Sequence, residues 1–231
     1  VWSEKYLYLA LDIGAISIPL LASFYKKAPF YKTWKYLWPG MLITALVFIV
    51  WDEAFTRMGV WGFNPRYLTG IYLLNLPLEE VLFFFCIPYA CVFTYFALNY
   101  LISKDYLFPH QDFISFALTV LMLVGGIYHL DKWYTSVTFI TLGMLLGLHM
   151  HYFRPRFMGR FYLSYAVILI PFFIINGILT GSWIDGEVVW YNNHENLNVR
   201  IGTIPVEDIF YGMLLIWLNV AVYEYLKQHR R

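Results

Sequence analysis

Charge is scarce in this chain. Only 13% of its 231 residues are Asp, Glu, Lys or Arg, against roughly 25% in a soluble domain, and no polar stretch is long enough to fold as one. The net charge of +1 says nothing about nucleic acid, since in such a chain the sign of charge matters only by position; no nucleic-acid partner is expected. Cysteine is nearly absent. Cys86 and Cys91 stand five apart on one apolar stretch and cannot bridge across a straight helix; without a CxxC there is neither a zinc site nor a disulfide framework. No GxGxxG is present, which removes a dinucleotide-binding domain, and no aspartate-rich motif is present to hold magnesium diphosphate. The six histidines are too scattered for a di-iron cluster; only His149 and His151 are close, and a spacing of two turns them to different faces of a helix. No lysine lies in the middle of an apolar run, so a Schiff-base chromophore has no attachment point. Neither a metal nor a cofactor is expected.

What fills the chain instead is apolar: 60% hydrophobic and 21% aromatic residues, gathered in long blocks. A membrane-spanning helix needs about 20 mostly apolar residues. Candidates lie at 6–24, 37–56, 77–101, 112–129, 133–151, 160–181 and 204–226. The expected fold is therefore an all-α integral membrane protein with about seven spans, forming one membrane domain over 1–231. Glu4 beside Lys5, Asp12 inside the first run and Lys26–Lys27 after it read as a retained span rather than a cleaved signal.

Basic residues set the expected orientation. Lys5, Arg57, Arg66, Lys132 and Arg200 fall on one side. The other side holds eleven, from Lys26, Lys27, Lys32 and Lys35 through Lys104, Arg154, Arg156 and Arg160 to Lys227, Arg230 and Arg231. This predicts a cytoplasmic C-terminus and an outside N-terminus, in a bacterial inner membrane.

Against this background two acid pairs stand out. In "NLPLEEVLFF" Glu79 and Glu80 head an apolar span, and in "GTIPVEDIF" Glu207 and Asp208 do the same. An offset of 128 maps Asn75 to Thr203, Pro77 to Pro205, Glu79 to Glu207 and Glu80 to Asp208, and also Phe63 to Tyr191 and Asn64 to Asn192. The pattern predicts two parallel three-helix repeats, 1–103 and 133–231, joined by a connecting helix at 110–130. Repeats displaced by four spans keep one orientation, so both acid pairs fall on the same side of the membrane. One copy of the chain is then sufficient to assemble a site.

Asn75 and Thr203 are expected N-caps, with Pro77 and Pro205 tolerated in the first turn. The four acids are the candidate catalytic residues. Carboxylates crowded into an apolar site cannot all ionise, and a mixed set contains both a proton donor and a proton acceptor. A neutral carboxylic acid in such a pocket could protonate an alkene, and aromatic faces could steady the resulting cation. Trp61, Phe63, Tyr72, Trp190 and Tyr191 are the candidate substrate-binding residues beside the acids, with Tyr67 in the same loops. Asp52, Asn64, Asn192 and Asn176 are candidate supporting residues, and Asp12 and Glu224 are weaker candidates. An ion site in a transporter or channel is the alternative reading of the same acids, and would place them near the membrane midplane.

The stretch "GVWGFNPRYLTGIYLLNLPLEEVLFF" and the second copy "IPVED" resemble the membrane-embedded lycopene cyclase family, found as paired small subunits, as one fused chain, or as a domain of a bifunctional fungal enzyme. The resemblance covers essentially the whole chain and is to the fused form. It departs in one place, where Asp208 stands in the position of a second glutamate. The resemblance implies redox-neutral closure of the linear ends of lycopene, through gamma-carotene to beta-carotene. It also implies a bilayer-dissolved substrate entering between spans among membrane lipid. Glu79, Glu80, Glu207 and Asp208 are carried over as the essential acids, with Glu80 as donor and Glu207 or Asp208 as acceptor or cation stabiliser.

Overall fold

The computed structural model describes residues 4–229. Arg230 and Arg231, counted in the orientation argument, lie outside them. Seven helices dominate: α1 (Leu7–Ala22), α2 (Trp34–Met58), α3 (Leu78–Leu101), α4 (Gln111–Tyr128), α5 (Trp133–Phe153), α6 (Met158–Leu179) and α7 (Val206–His229). All seven are long and apolar enough to cross a membrane. Their outward faces carry bare aliphatic and aromatic side chains such as Ile18, Leu42, Phe113 and Ile170, as a lipid-facing surface requires. The second span begins earlier than expected, because a 3-10 turn at Phe30–Thr33 leads into α2 and Pro39 is taken inside the helix.

α3 and α7 form the centre of the bundle. α1 packs on α3 and α5 on α7, while α2 packs on α7 and α6 on α3. Each half of the chain thus lays its middle helix on the last helix of the other half. α4 packs on α5 and α6, outside this arrangement. The main core runs between these helices, with Phe48, Phe84, Tyr89, Leu142, Phe161, Leu214 and Val220 fully enclosed.

The loops at one end form a small layer of paired strands: β1 (Trp61–Phe63), β2 (Tyr72–Leu73), β3 (Leu76–Pro77), β4 (Val189–Tyr191), β5 (Arg200–Ile201) and β6 (Ile204–Pro205). β1 and β4 pair antiparallel, with Gly62 opposite Trp190. The other four strands make two hairpins, Tyr72↔Pro77 and Arg200↔Pro205, that lead directly into α3 and α7. Each hairpin turns through one residue of positive φ, Leu74 at 57° and Gly202 at 64°. Two-residue hairpin loops take that conformation because its twist matches the strands. α2 reaches this layer by a left-handed Gly59 (φ 71°), whose N–H donates back to Thr56. Glycine adopts that cap without steric cost.

The expected caps are corrected. Pro77, not Asn75, is the N-cap of α3, and its side chain offers no capping acceptor. The β2–β3 and β5–β6 pairings carry extended backbone past Asn75 and Thr203, so helical geometry begins only at Leu78 and Val206. Glu79 and Glu80 therefore occupy the second and third helical positions. Asn75 instead binds Glu53, through its backbone N–H at 3.0 Å and its amide at 2.5 Å. Thr203 joins a hydroxyl cluster with Thr180 and Ser182, at 2.7 and 2.8 Å.

Candidate active site

A helix turns by about 100° per residue, so adjacent acids at a helix head point in different directions. Glu79 turns towards the loop layer. Its Oε1 accepts the Thr69 backbone N–H at 2.7 Å. Glu207 does the same for Leu197, also at 2.7 Å, and takes a second bond from Thr135 Oγ1 at 2.6 Å. Both side chains are fully buried. They tie the incoming loops to the helix heads, where a carboxylate also sits favourably at the positive end of the helix dipole.

Glu80 and Asp208 turn the other way, into a cavity of about 520 Å³ enclosed by α1, α3, α6, α7 and the β1/β4 layer. Its walls are apolar, with Leu11, Phe83, Ile87, Ile168, Phe172, Ile175 and Leu215 among them. Such a size and character are ordinary for a small-molecule pocket. Asp52, near the end of α2, also faces it. Trp61, Phe63 and Tyr191 roof the acids.

Each acid has its own set of partners. Glu80 accepts one bond, from Tyr8 Oη at 2.5 Å. Asp52 accepts one bond, from Trp61 Nε1 at 2.5 Å, and its second oxygen is buried without a partner. Asp208 accepts three: Tyr134 Oη at 2.5 Å, Asn176 Nδ2 at 2.7 Å and Tyr191 Oη at 3.0 Å. Tyr191 lies in β4, outside the helices. Burial and then the Asp208 charge push its phenol well above the usual value, so it remains a donor to Asp208. A carboxylate satisfied by three donors is suited to hold negative charge. Glu80 shares the apolar cavity with Asp52, and two carboxyl groups in one such cavity favour keeping one of them protonated.

The cavity reaches the lipid-facing surface between α1 and α6. Both helices line it, yet they are not among the closely packed helix pairs. Gly14, Ile18 and Pro171 line the cavity and are exposed outwards. Pro19 and Pro171, each inside its helix, lack a backbone N–H and line this mouth. At about 1.5 Å rise per residue, Ile18 lies about 15 Å along α1 from Tyr8, so the opening faces the bilayer interior rather than the loop end.

A profile described as "Lycopene cyclase" matches residues 5–98 and 131–226, which is most of the chain. The chain belongs to the lycopene cyclase family. A bifunctional lycopene cyclase/phytoene synthase of Aspergillus niger is 28% identical over 89 residues, which cover 36% of this chain and 15% of that protein. The chain thus spans only a small part of the curated relative it matches. No solved structure matches it.

In this lycopene cyclase family member the remaining candidates are divided by the fold. Tyr72 and Trp190 lie outside the acid-lined cavity. With Arg57, Gly62 and Asn75 they line a separate cleft of about 570 Å³ on the loop face. Asn64 accepts the Arg66 N–H at 3.1 Å and donates to the Glu187 carbonyl at 3.0 Å; Asn192 accepts the His194 N–H at 3.1 Å. Both asparagines shape turns and touch none of the acids. Asp12 is buried one turn from Tyr8 on α1, with Oδ2 unpartnered. Glu224 is far away at the other end of α7, where it binds Tyr95 and Lys227. His149 packs its ring on Trp217 while His151 is exposed.

Sequence reasoning missed Tyr8, Tyr134 and Tyr211. Tyr211 lies one turn beyond Asp208 on α7 and lines the cavity. Its ring meets Phe48, Trp51, Trp61 and Tyr134 edge-on, with centroids 5.1 to 6.1 Å away. With 20 tyrosines in the chain, nothing in the local sequence separates these three from the rest.

Proposed function

We propose that this chain is a lycopene beta-cyclase, an intramolecular lyase-type isomerase that closes the linear ends of lycopene, through gamma-carotene, to beta-carotene. The observation that carries the reading is the pairing of two unlike acids in one apolar cavity open to lipid. Glu80, which shares the cavity with Asp52, is the proton donor. Asp208, held by Tyr134, Asn176 and Tyr191, is the acceptor.

The chemistry balances without an added reagent. Glu80 protonates the terminal double bond, leaving a tertiary cation. An internal alkene attacks it, forming the ring bond and moving the positive charge onto a ring carbon. Asp208 removes a proton from the neighbouring carbon, and the double bond re-forms. Product and substrate have the same composition. Trp61, Phe63 and Phe83 present ring faces and edges around the reacting end, and aromatic faces stabilise a cation by about 0.5–2 kcal/mol each. The mouth between α1 and α6 admits the polyene from the bilayer.

The site is built by two related halves, 1–103 and 133–231, with the 110–130 helix as connector, so one chain suffices. A transporter or channel is less well supported: its acids would lie near the midplane and connect to water on both sides, whereas Glu80 and Asp208 occupy the first turns of α3 and α7.

Expression in a lycopene-accumulating bacterium, followed by chromatographic separation of pigments, tests the proposal. It predicts beta-carotene at the expense of lycopene. Unchanged lycopene in membranes containing the inserted protein would overturn it.

A further inference from the structure

Cyclisation leaves the two acids in the wrong states. Glu80 has lost a proton and Asp208 has gained one, although the net reaction consumes none. A second cycle requires that the proton travel back, and both acids are buried.

The cavity wall contains six hydroxyl groups. Tyr8 is committed to Glu80, and Tyr134 and Tyr191 to Asp208. Tyr165 donates to the Ile209 carbonyl and Thr94 to the Ala90 carbonyl. Tyr211 is the sixth, and its hydroxyl has no hydrogen-bond partner among the described residues. Its position follows from the helix: at three residues past Asp208, it shares that face of α7. Its ring is fixed between Trp61 and Tyr134, the donors to Asp52 and Asp208. The position 128 residues earlier is Phe83, which lines the Glu80 side of the same cavity. The hydroxyl is thus present in only one half.

We propose that the Tyr211 hydroxyl, unpartnered on the wall of the cavity that Glu80 and Asp208 share, returns the proton from Asp208 to Glu80 after each cyclisation. A phenol can accept a proton on its oxygen while releasing its own. Tyr211 therefore ends each transfer unchanged, Asp208 is again an anion, and Glu80 is again an acid. The proton taken from one substrate protonates the next.

This inference rests on the donor and acceptor assignment above. The experiment uses the full chain in lipid vesicles loaded with lycopene, with the first turnover and the steady state measured separately in heavy water. For the wild type, the first two rings carry deuterium, one delivered by Glu80 and the next by the Tyr211 hydroxyl, and later rings carry mainly protium. Tyr211→Phe retains the first turnover but slows the steady state by about 10²-fold, the scale of a lost proton transfer, and its later rings carry about one deuterium each, delivered slowly by water. One deuterium in every wild-type ring would overturn the proposal, as would a Tyr211→Phe variant whose first turnover and steady state change equally. The wild-type labelling stands alone if the variant does not fold. Glu80→Gln and Asp208→Asn run beside it: turnover in either one rejects the donor and acceptor assignment itself, whatever Tyr211 does.

Discussion

Gly62 lies opposite Trp190 in the β1–β4 pair, at the position 128 residues away in the chain. The neighbouring bonds repeat this relation. Asn64 N–H donates to the Val188 carbonyl at 2.8 Å, and Asn192 N–H donates to the Val60 carbonyl at 2.9 Å. A side chain on Gly62 would collide with the Trp190 ring at Cζ2. The indole thus occupies the space that glycine leaves, and the strand pair that roofs the cavity depends on it.

Gly62→Ala is expected to force the indole aside and cost about 1–3 kcal/mol, as overpacking does. Thermal denaturation in detergent measures the loss. Trp190→Ala added to Gly62→Ala should restore most of it, since it removes the clashing ring.

Two of the cavity's polar residues, Asp52, which lines it with Glu80, and Asn176, which donates to Asp208, separate the roles of the two acids. Asp52→Asn keeps an acceptor for Trp61 Nε1 and removes one acid. The expected result is a folded protein whose cyclisation rate falls by about 10²-fold at little changed apparent KM. Asn176→Asp removes a donor from Asp208 and sets a second carboxyl group against it. It should lower the rate by a similar factor, measured by pigment analysis over time.

At the lipid-facing mouth, Gly14 has no atom within 4 Å of an added Cβ. Gly14→Trp should therefore fold normally while obstructing entry. A raised apparent KM for lycopene, with a nearly unchanged maximal rate at saturating substrate, is the expected signature. An unchanged KM would place the entry elsewhere.

The spans were legible because length and apolar content decide what crosses a bilayer. The acid pairs were legible because charge is so rare around them. The division of each pair was not drawn from the sequence, although helix geometry alone separates neighbours such as Glu79 and Glu80. The expected caps failed because the hairpin pairing at Tyr72–Pro77 puts Asn75 in the turn and keeps Leu76 and Pro77 in the strand, so the helix starts only at Leu78. The tyrosine partners stayed hidden for a different reason. The offset of 128 holds in the loops and in α3 and α7, but Tyr8 corresponds to Tyr134 at 126 and Asp52 to Asn176 at 124. Unequal connections between the helices shift the register, so no single offset aligns them. Only the packing brings Tyr8 and Tyr134 onto equivalent acids.

The central claim is that one acid of each pair performs chemistry and its neighbour holds a loop. The most direct test is the rate of beta-carotene formation by Glu79→Gln, Glu80→Gln, Glu207→Gln and Asp208→Asn in matched amounts of folded protein. Gln at 79 or 207 retains a carbonyl oxygen to accept the Thr69 or Leu197 N–H. Those two variants should stay within about tenfold of wild type, while Glu80→Gln and Asp208→Asn fall by about 10²–10⁴-fold. Loss of cyclisation in Glu79→Gln or Glu207→Gln, with activity kept in Glu80→Gln or Asp208→Asn, would contradict the account.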